Sequence, residues 1–377
     1  MKITANAGKL SRALALAAVL VNDARAIKRI AALGAVHLVT ARSMITITAN
    51  VLDHAISLSV PATIERPGAV AVASAQLSAL VAEFSDKATV EIESDGNVAR
   101  IGCGLSRFKL ATIPSGDLPP MPKLTEEIGR VDLAREEVFR LLVPSFAVST
   151  ERTRYYMSGV LLHDSDHGLT AVATDGHRLT RTIVPGAAGL SQDRRLVMPA
   201  PATEIVGKIL RHRSIERVTL RRSRTLLAVE AATAVFVSKL IDATFPNYEL
   251  VLPEPSGNSV VVDRAELTQA LARLVAVAQD GQRRVAGLRW NAGEPVLRLC
   301  LPDSDAADDI IAAEAVAGSG AIAVQIGLLT ELLGALGGKH VHFDSRSGAD
   351  PILMTDPDNA HVTALLVPCR WRRAEAA

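Results

Sequence analysis

Three times along its 377 residues the chain runs from an alternating strand into an amphipathic helix, and the three runs begin 128 and 130 residues apart. The first is Lys2-Ile3-Thr4-Ala5 before Lys9–Val21, the second Arg130-Val131-Asp132-Leu133 before Glu136–Val148, the third Val260-Val261-Val262-Asp263 before Glu266–Ala278. Apolar residues recur four apart in each helix, as Leu10 and Leu14, Val138 and Leu142, Leu267 and Leu271, which predicts one face packed on a sheet. Further into each unit the pattern returns: Ala69–Ala73 then Ala75–Phe84, Leu196–Met198 then Ala202–Leu210, Ala321–Val324 then Leu328–Leu336. A strand follows each second helix (Thr89–Ile92, Arg217–Leu220, His340–Phe343), and each unit closes on another (Arg107–Ile113, Phe236–Ile241, Val362–Pro368). With Phe108, Phe236 and Ala364 taken as equivalent, the closing strands are spaced by 128 and 128 residues.

Solenoid units run to ~20–50 residues, so a period this long is a duplicated domain. The expectation is an α+β chain of three similar domains, each with two helices packed on antiparallel sheet. Pro114, Pro119, Pro120 and Pro122 mark one linker, and Pro253-Glu254-Pro255-Ser256-Gly257 the other. The domains then span 1–126, 127–255 and 256–371, with a tail at 372–377. Three such domains could serve unrelated tasks, but repeats of one size tend to build a symmetric object.

Composition excludes several classes. Hydrophobic residues make up 49% but aromatics only 3%, so Ala, Val and Leu must fill the cores. No run approaches the ~18 apolar residues of a membrane span, and Met1-Lys2-Ile3-Thr4 does not open a signal peptide. A cytoplasmic protein is expected. Cys103, Cys300 and Cys369 lie far apart, which speaks against both a disulfide framework and a zinc site. Forty-one basic and forty acidic residues give +1, so any nucleic-acid contact requires positive charge gathered on one face.

No chemistry-bearing motif stands out. Asp175 and His177 with Ser238 or Thr174 could be imagined as a nucleophile system, but there is no Gly-x-Ser-x-Gly elbow. His163 and His167 have a zinc-like spacing, yet Asp164-Ser165-Asp166 between them reads as a solvated turn. A phosphate-binding Gly-x-x-x-x-Gly-Lys-Ser/Thr loop is missing. The chain is expected to be no enzyme and to need neither cofactor nor metal. Thr153–Leu162 and Leu169–Thr180 read as a β-meander with a tight Asp175-Gly176 turn that needs positive φ.

In that meander Arg154-Tyr155-Tyr156-x-x-Gly159-x-Leu161 and Ala173-Thr174-Asp175-Gly176-His177-Arg178-Leu179 are similar to signature segments of bacterial DNA polymerase sliding clamps, the beta subunits of the replicative polymerase. Ser238-Lys239-Leu240-Ile241-Asp242-Ala243-Thr244-Phe245-Pro246-Asn247-Tyr248 resembles a third such segment, and Ser106-Arg107-Phe108-Lys109-Leu110 with Ile113-Pro114 a fourth. The resemblance covers essentially residues 1–371, in register with the counted repeat. It implies a ring, closed by head-to-tail dimerisation, that encircles duplex DNA without reading sequence. The ring tethers the polymerase catalytic subunit and other proteins with a clamp-binding motif, and a separate clamp loader puts it on DNA.

The resemblance also implies sites. A partner cleft would have one wall of Arg154, Met157, Thr174, Gly176, His177, Arg178, Leu179, Pro246, Leu250 and Val251. The other wall would be Val285, Gln325, Leu328, Pro351 and Leu365-Leu366-Val367-Pro368-Cys369-Arg370. Leu250, Gln325, Leu328 and Cys369 depart from the common pattern, which points as an alternative to a divergent or second-copy clamp, an interaction scaffold for a specialised polymerase or one no longer loaded on DNA. Phe108 and Leu110 match one side of the dimer contact, Ala276 and Val277 the other. Arg25, Tyr155 and Tyr156 match DNA-touching positions. Independently of the resemblance, helix-borne Lys9, Arg12, Arg135, Arg140, Lys208, Arg211, Arg213, Arg264 and Arg273 could supply a diffuse phosphate-attracting field, each one being otherwise an ordinary solvated charge.

Overall fold

A computed structural model describes residues 1–21, 30–191, 195–211, 214–278, 284–302 and 307–370. Arg25, Arg213 and the tail 372–377 lie outside the described residues. One order of elements occurs three times: a strand, a helix, four strands, a second helix and three strands. Among the described residues the six α-helices are α1 (Ala7–Val21), α2 (Ser74–Ala82), α3 (Arg135–Leu142), α4 (Ala200–Leu210), α5 (Arg264–Val277) and α6 (Ile326–Leu336).

Local chemistry sets where these helices start and stop. Asn6 Oδ1 accepts the Lys9 N–H at 3.0 Å as α1 begins, and Asp263 Oδ1 accepts from Ala265 and Glu266 at 2.8 and 2.9 Å before α5. Those backbone N–H groups, that of Glu266 first, hold the Asp263 carboxyl below the usual carboxylate range. The helix expected to run to Val148 instead ends at Leu142 and continues as a 3-10 turn, Val143–Ala147. Pro144 has no N–H and disfavours α geometry before it, which explains the early stop. The expected first strand of the meander also begins late: Arg152–Met157 is 3-10, and the strand is Gly159–Ser165.

Two compact units emerge, and the cut between them passes through the second repeat. The first comprises 1–139, 189–192 and 198–241, the second 140–188, 193–197 and 242–377. In the first unit a strand path runs from Ser106–Ala111 through Val98–Cys103, Thr89–Ser94, Lys2–Asn6, His54–Arg66, Ala234–Lys239, Leu226–Ala231 and Arg217–Arg222 to Gly129–Ala134. Lys2–Asn6 buries Ile3 and Ala5 and turns Lys2, Thr4 and Asn6 outward, the period of two expected of a strand with one face on a core. In the second unit Arg178–Val184 is joined to Asn359–Leu366, and the third repeat packs Trp290, Phe343 and a cluster of Leu, Ile and Val side chains beneath α5 and α6.

Strand register makes the repeat equivalence quantitative. From the first strand of each repeat the ladder runs Ile3, Ile92, Ile101, Phe108; Val131, Leu220, Val229, Phe236; and Val260, Phe343, Met354, Ala364. Phe108, Phe236 and Ala364 therefore occupy one structural position. In the first unit Phe236 pairs with Ile56, and in the second Ala364 pairs with Thr180. The closing strand of the first repeat, Ser106–Ala111, pairs with Val98–Cys103 on one side and has no ladder partner on the other among the described residues.

Candidate functional site

All twenty residues expected to form the partner cleft belong to the second unit. Its frame is the hairpin of Gly168–Thr174 and Arg178–Val184 beside Asn359–Leu366, with Arg178 opposite Leu366 and Leu179 opposite Leu365. The Val367 N–H donates to the His177 carbonyl at 2.9 Å and that of Cys369 to Ala323 at 2.6 Å, so the C-terminal segment is tied down along the hairpin turn. On the neighbouring ladder Val285 stands opposite Gln325, one residue before α6, which carries Leu328 in its first turn.

The hairpin turn is built by its own side chains. Asp175 Oδ1 accepts the His177 and Arg178 N–H groups at 2.9 and 3.1 Å, and Thr174 Oγ1 donates to the Arg178 carbonyl at 2.6 Å. Gly176 has φ +89°, and a Cβ there would lie 3.0 Å from Arg154 Nη1, so both backbone and space require glycine. Arg154 reaches the Asp175 carbonyl at 3.3 Å and Glu151 at 3.0 Å, joining the 3-10 turn to the hairpin.

The expected residues divide into a presented surface and its support. Leu250, Val251 and Val367 are 82%, 52% and 42% exposed, and Gly176, His177, Pro246, Gln325 and Arg370 are exposed as well. Thr174, Arg154, Val285, Leu328, Pro351, Pro368 and Cys369 are half-buried. Met157, Leu179, Leu365 and Leu366 are core, and Leu366 is wholly buried, so they sit beneath the surface. Arg178 is buried too: it meets Asp175 at 3.1 Å, Glu331 at 2.7 Å and the Phe146 carbonyl at 2.9 Å, and stacks 5.0 Å from the Phe146 ring centre. It supports the turn from beneath, each of its three nitrogens donating within the protein. Phe146 and Glu331 carry no sequence signal for this role, because their link to Arg178 is long-range.

His163 corrects a reading made from the sequence. It lies inside the strand Gly159–Ser165, 5% exposed, and only His167 belongs to the exposed turn. His163 Nε2 is 3.0 Å from the Tyr248 hydroxyl and Nδ1 is 2.9 Å from the Asp164 carbonyl. Burial holds its imidazole below the ordinary range and raises the Tyr248 phenol. The Asp-Ser-Asp run misled because the strand continues through Ser165 before turning. Among the described residues no group of His, Cys, Asp and Glu side chains could hold a metal ion.

The candidate cations fare unequally. In the first unit Lys9 and Arg12 are exposed on α1 with no ion pair among the described residues, at the mouth of a hollow of about 300 Å³ lined by Leu16, Leu58, Ile209 and Ile215. Arg211 is exposed, whereas Lys208 is held by Glu204 at 2.5 Å. Arg135 donates to the Leu210 carbonyl at the end of α4. In the second unit Arg264 does the same for α6, through Gly338, Leu333 and Gly337. Both Arg135 and Arg264 are thus helix-end caps, not members of a free field. Arg273 is paired with Asp309 at 2.7 Å, and Arg140 is half-buried with its carbonyl accepting from Thr182. Tyr155 is 57% exposed on its 3-10 turn, with the half-buried Tyr156 ring edge-on at 6.0 Å.

Of the candidate dimer residues, Phe108 is 40% exposed on the open edge strand, its ring 6.1 Å from Phe84, and Leu110 is half-buried. Ala276 and Val277 are exposed at the end of α5. A second open edge went unread in the sequence. Asp308–Ala317 pairs with Val296–Cys300 through residues 308–312, but its ladder to Ser259–Asp263 involves only residues 313–317. Residues 308–312 have no ladder partner on that side among the described residues, and Ile310 is 48% exposed.

Comparison with known proteins adds identity. Residues 1–122, 135–247 and 249–370 match the family models for the N-terminal, central and C-terminal domains of the DNA polymerase III beta subunit. A curated beta sliding clamp of Caulobacter vibrioides is 28% identical over 316 residues, covering 82% of this chain and 84% of the relative. One from Pseudomonas aeruginosa is also 28% identical, covering 81% and 82%. The solved sliding clamp of Bartonella birtlesii, bound to griselimycin, superposes with TM-score 0.90 at 26% identity over 98% of this chain and 99% of that one. A Pseudomonas aeruginosa sliding clamp does so with TM-score 0.88 at 25% identity over the same shares.

Proposed function

We infer how this protein works from one premise, that the chain belongs to the DNA polymerase III beta subunit family. It is a DNA sliding clamp, a non-catalytic processivity subunit, and nothing in its relatives favours the alternative of a scaffold no longer loaded on DNA. One observation carries the reading: the family's three domains match in order onto the three counted repeats. Domain limits at 126 and 255 belong to the same reading.

Two chains join head to tail, each closing strand Ser106–Ala111 adding to the open half of Asp308–Ala317 in its partner. Such pairing removes two exposed sheet edges at once. The ring works on DNA in the cytoplasm and holds it through sequence-independent attraction between phosphates and Lys9, Arg12, Arg140, Arg211 and their neighbours. Tyr155 and Tyr156 touch DNA as well. A clamp loader supplies the energy of ring opening.

The polymerase and other partners dock by a short peptide on Leu250, Val251, Leu328, Val367 and Pro368. Burying two or three aliphatic or aromatic anchors at about 1.5–3 kcal/mol each, less ordering costs, gives roughly micromolar affinity, weak enough for partners to exchange.

The deciding experiment loads the protein onto closed circular DNA with a clamp loader, then cuts the circle. Retention before cutting and loss afterwards are expected of a topological hold. Equal retention on both forms would overturn sliding.

A further inference from the structure

His163 is a buried, titratable side chain that peptide docking does not touch, and its surroundings are unusually complete. The Asp164 carbonyl beside Nδ1 can only accept, so the neutral ring carries its proton on Nδ1, and Nε2 accepts from the Tyr248 hydroxyl at 3.0 Å. Tyr248 is 4% exposed, and its ring lies 5.8 Å from that of His163. On it rests the Arg195 guanidinium, also at 5.8 Å, and Arg195 holds Glu249 at 2.9 and 3.1 Å. Two segments distant in sequence thus converge on the first two residues of the 3-10 turn Tyr248–Val251. The last two, Leu250 and Val251, are the exposed apolar pair.

We propose that the His163–Tyr248 hydrogen bond is a clasp that positions Leu250 and Val251 for the partner peptide, a role that rests on the docking reading above. A four-residue turn has little rigidity of its own, since isolated helical turns are marginal. Fixing Tyr248 from below and Glu249 from the side leaves Leu250 and Val251 few orientations, so binding does not have to order them. Neither His163 nor Tyr248 meets the peptide; both are positioning residues.

The clasp has a built-in sensitivity to acid. A protonated His163 has no acceptor at Nε2, so the Tyr248 hydroxyl must turn from donor to acceptor, and the ring becomes a cation beside Arg195, with Arg181 near Tyr248, against the Glu249 and Asp164 carboxylates.

The test uses the full chain and a fluorescent peptide of the Gln-Leu-x-Leu-Phe type. Tyr248→Phe keeps the ring, its burial and the Arg195 stack but removes the hydroxyl. We expect about fivefold weaker binding at neutral pH, because the turn must then be ordered on binding, together with a fall in melting temperature from the buried Nε2 left without a donor. The weakening of wild-type binding below pH 6.5 should shrink in the variant. His163→Gln, which keeps an acceptor, should restore neutral-pH binding and also flatten the profile. Amide exchange at Leu252, whose N–H donates to Glu249 at 3.3 Å, should quicken in Tyr248→Phe even without peptide. Wild-type affinity, pH profile and exchange in Tyr248→Phe would overturn the clasp. If wild type itself binds no peptide while exchange still quickens, the docking reading fails and the clasp stands as a device that orders this turn.

Discussion

Phe236 stands directly opposite Ile56 in the antiparallel ladder that joins the closing strand of the second repeat to the fourth strand of the first. Because Phe108 holds the same position as Phe236, the ladder is a template for the contact between chains. The fourth strands can be aligned in the same way: His37, Thr48 and Ser57 form one rung of the first repeat, Gly287, Cys300 and Asp308 that of the third. Ser57 pairs with Val235, and Val235 is equivalent to Arg107. In a head-to-tail dimer built on this template, Phe108 would face Ala307 and Arg107 would face Asp308 of the other chain.

That register gives the first prediction. Sedimentation should show twice 39.9 kDa, and Phe108→Asp should give monomer. Arg107→Glu and Asp308→Arg should each weaken the dimer by about 1 kcal/mol through like charges across the ladder, and the double variant should regain it. Two independent losses that simply add would disprove the register.

How far the fold could be read beforehand follows from which forces leave a local trace. The Phe108, Phe236 and Ala364 equivalence was legible because alternation and helix periodicity are written into consecutive residues. The end of α3 was legible in Pro144 but was overrun by the apolar spacing that continues through Phe146 and Val148. Arg135 and Arg264 looked like lumen cations because their partners, carbonyls at remote helix ends, leave no mark nearby. His163 was misplaced for the same reason, Tyr248 being 85 residues away.

The second prediction concerns the C-terminal wall. Ending the chain at Leu366 should preserve the fold and abolish peptide binding, because Val367, Pro368, Cys369 and Arg370 are lost while the ladder to Arg178 is kept. Leu366→Ala should instead cost about 3 kcal/mol of stability, as for a leucine removed from a closed core. Calorimetry that finds full peptide affinity in the shortened chain would show that the wall lies elsewhere.

Arg178 supplies the third. Its guanidinium is buried between Asp175, Glu331 and Phe146, so Arg178→Met leaves Asp175 Oδ2 without its donor and should lower stability by about 3 kcal/mol. The hairpin turn depends on that carboxylate, so peptide affinity should fall along with the melting temperature. Glu331 is half exposed at its side chain, and Glu331→Gln should cost under about 1 kcal/mol. Equal losses in the two variants would mean that the outer ion pair, not the buried end, holds the turn.

The last prediction takes the cations as the structure sorts them. Lys208 and Arg273 already face Glu204 and Asp309, so part of their charge is answered within the protein. Lys9 and Arg12 have no such partner among the described residues and stand three apart on the outward side of α1. A field that attracts phosphate without fixing a register is a sum over many such groups, and removing one should change little. Arg12→Ala alone should therefore load almost normally. Lys9→Glu with Arg12→Glu should slow loading strongly and reduce the dependence of DNA binding on salt, since fewer counterions are released on contact. The same charge reversal at Lys208 and Arg273 should do less, because Glu204 and Asp309 then lose their partners but the net field was already small there. Retention on closed circles after loading should be alike in all variants, because a ring is held by its closure. A variant that loads normally yet slides off an intact circle would place these residues in ring closure and not in DNA attraction.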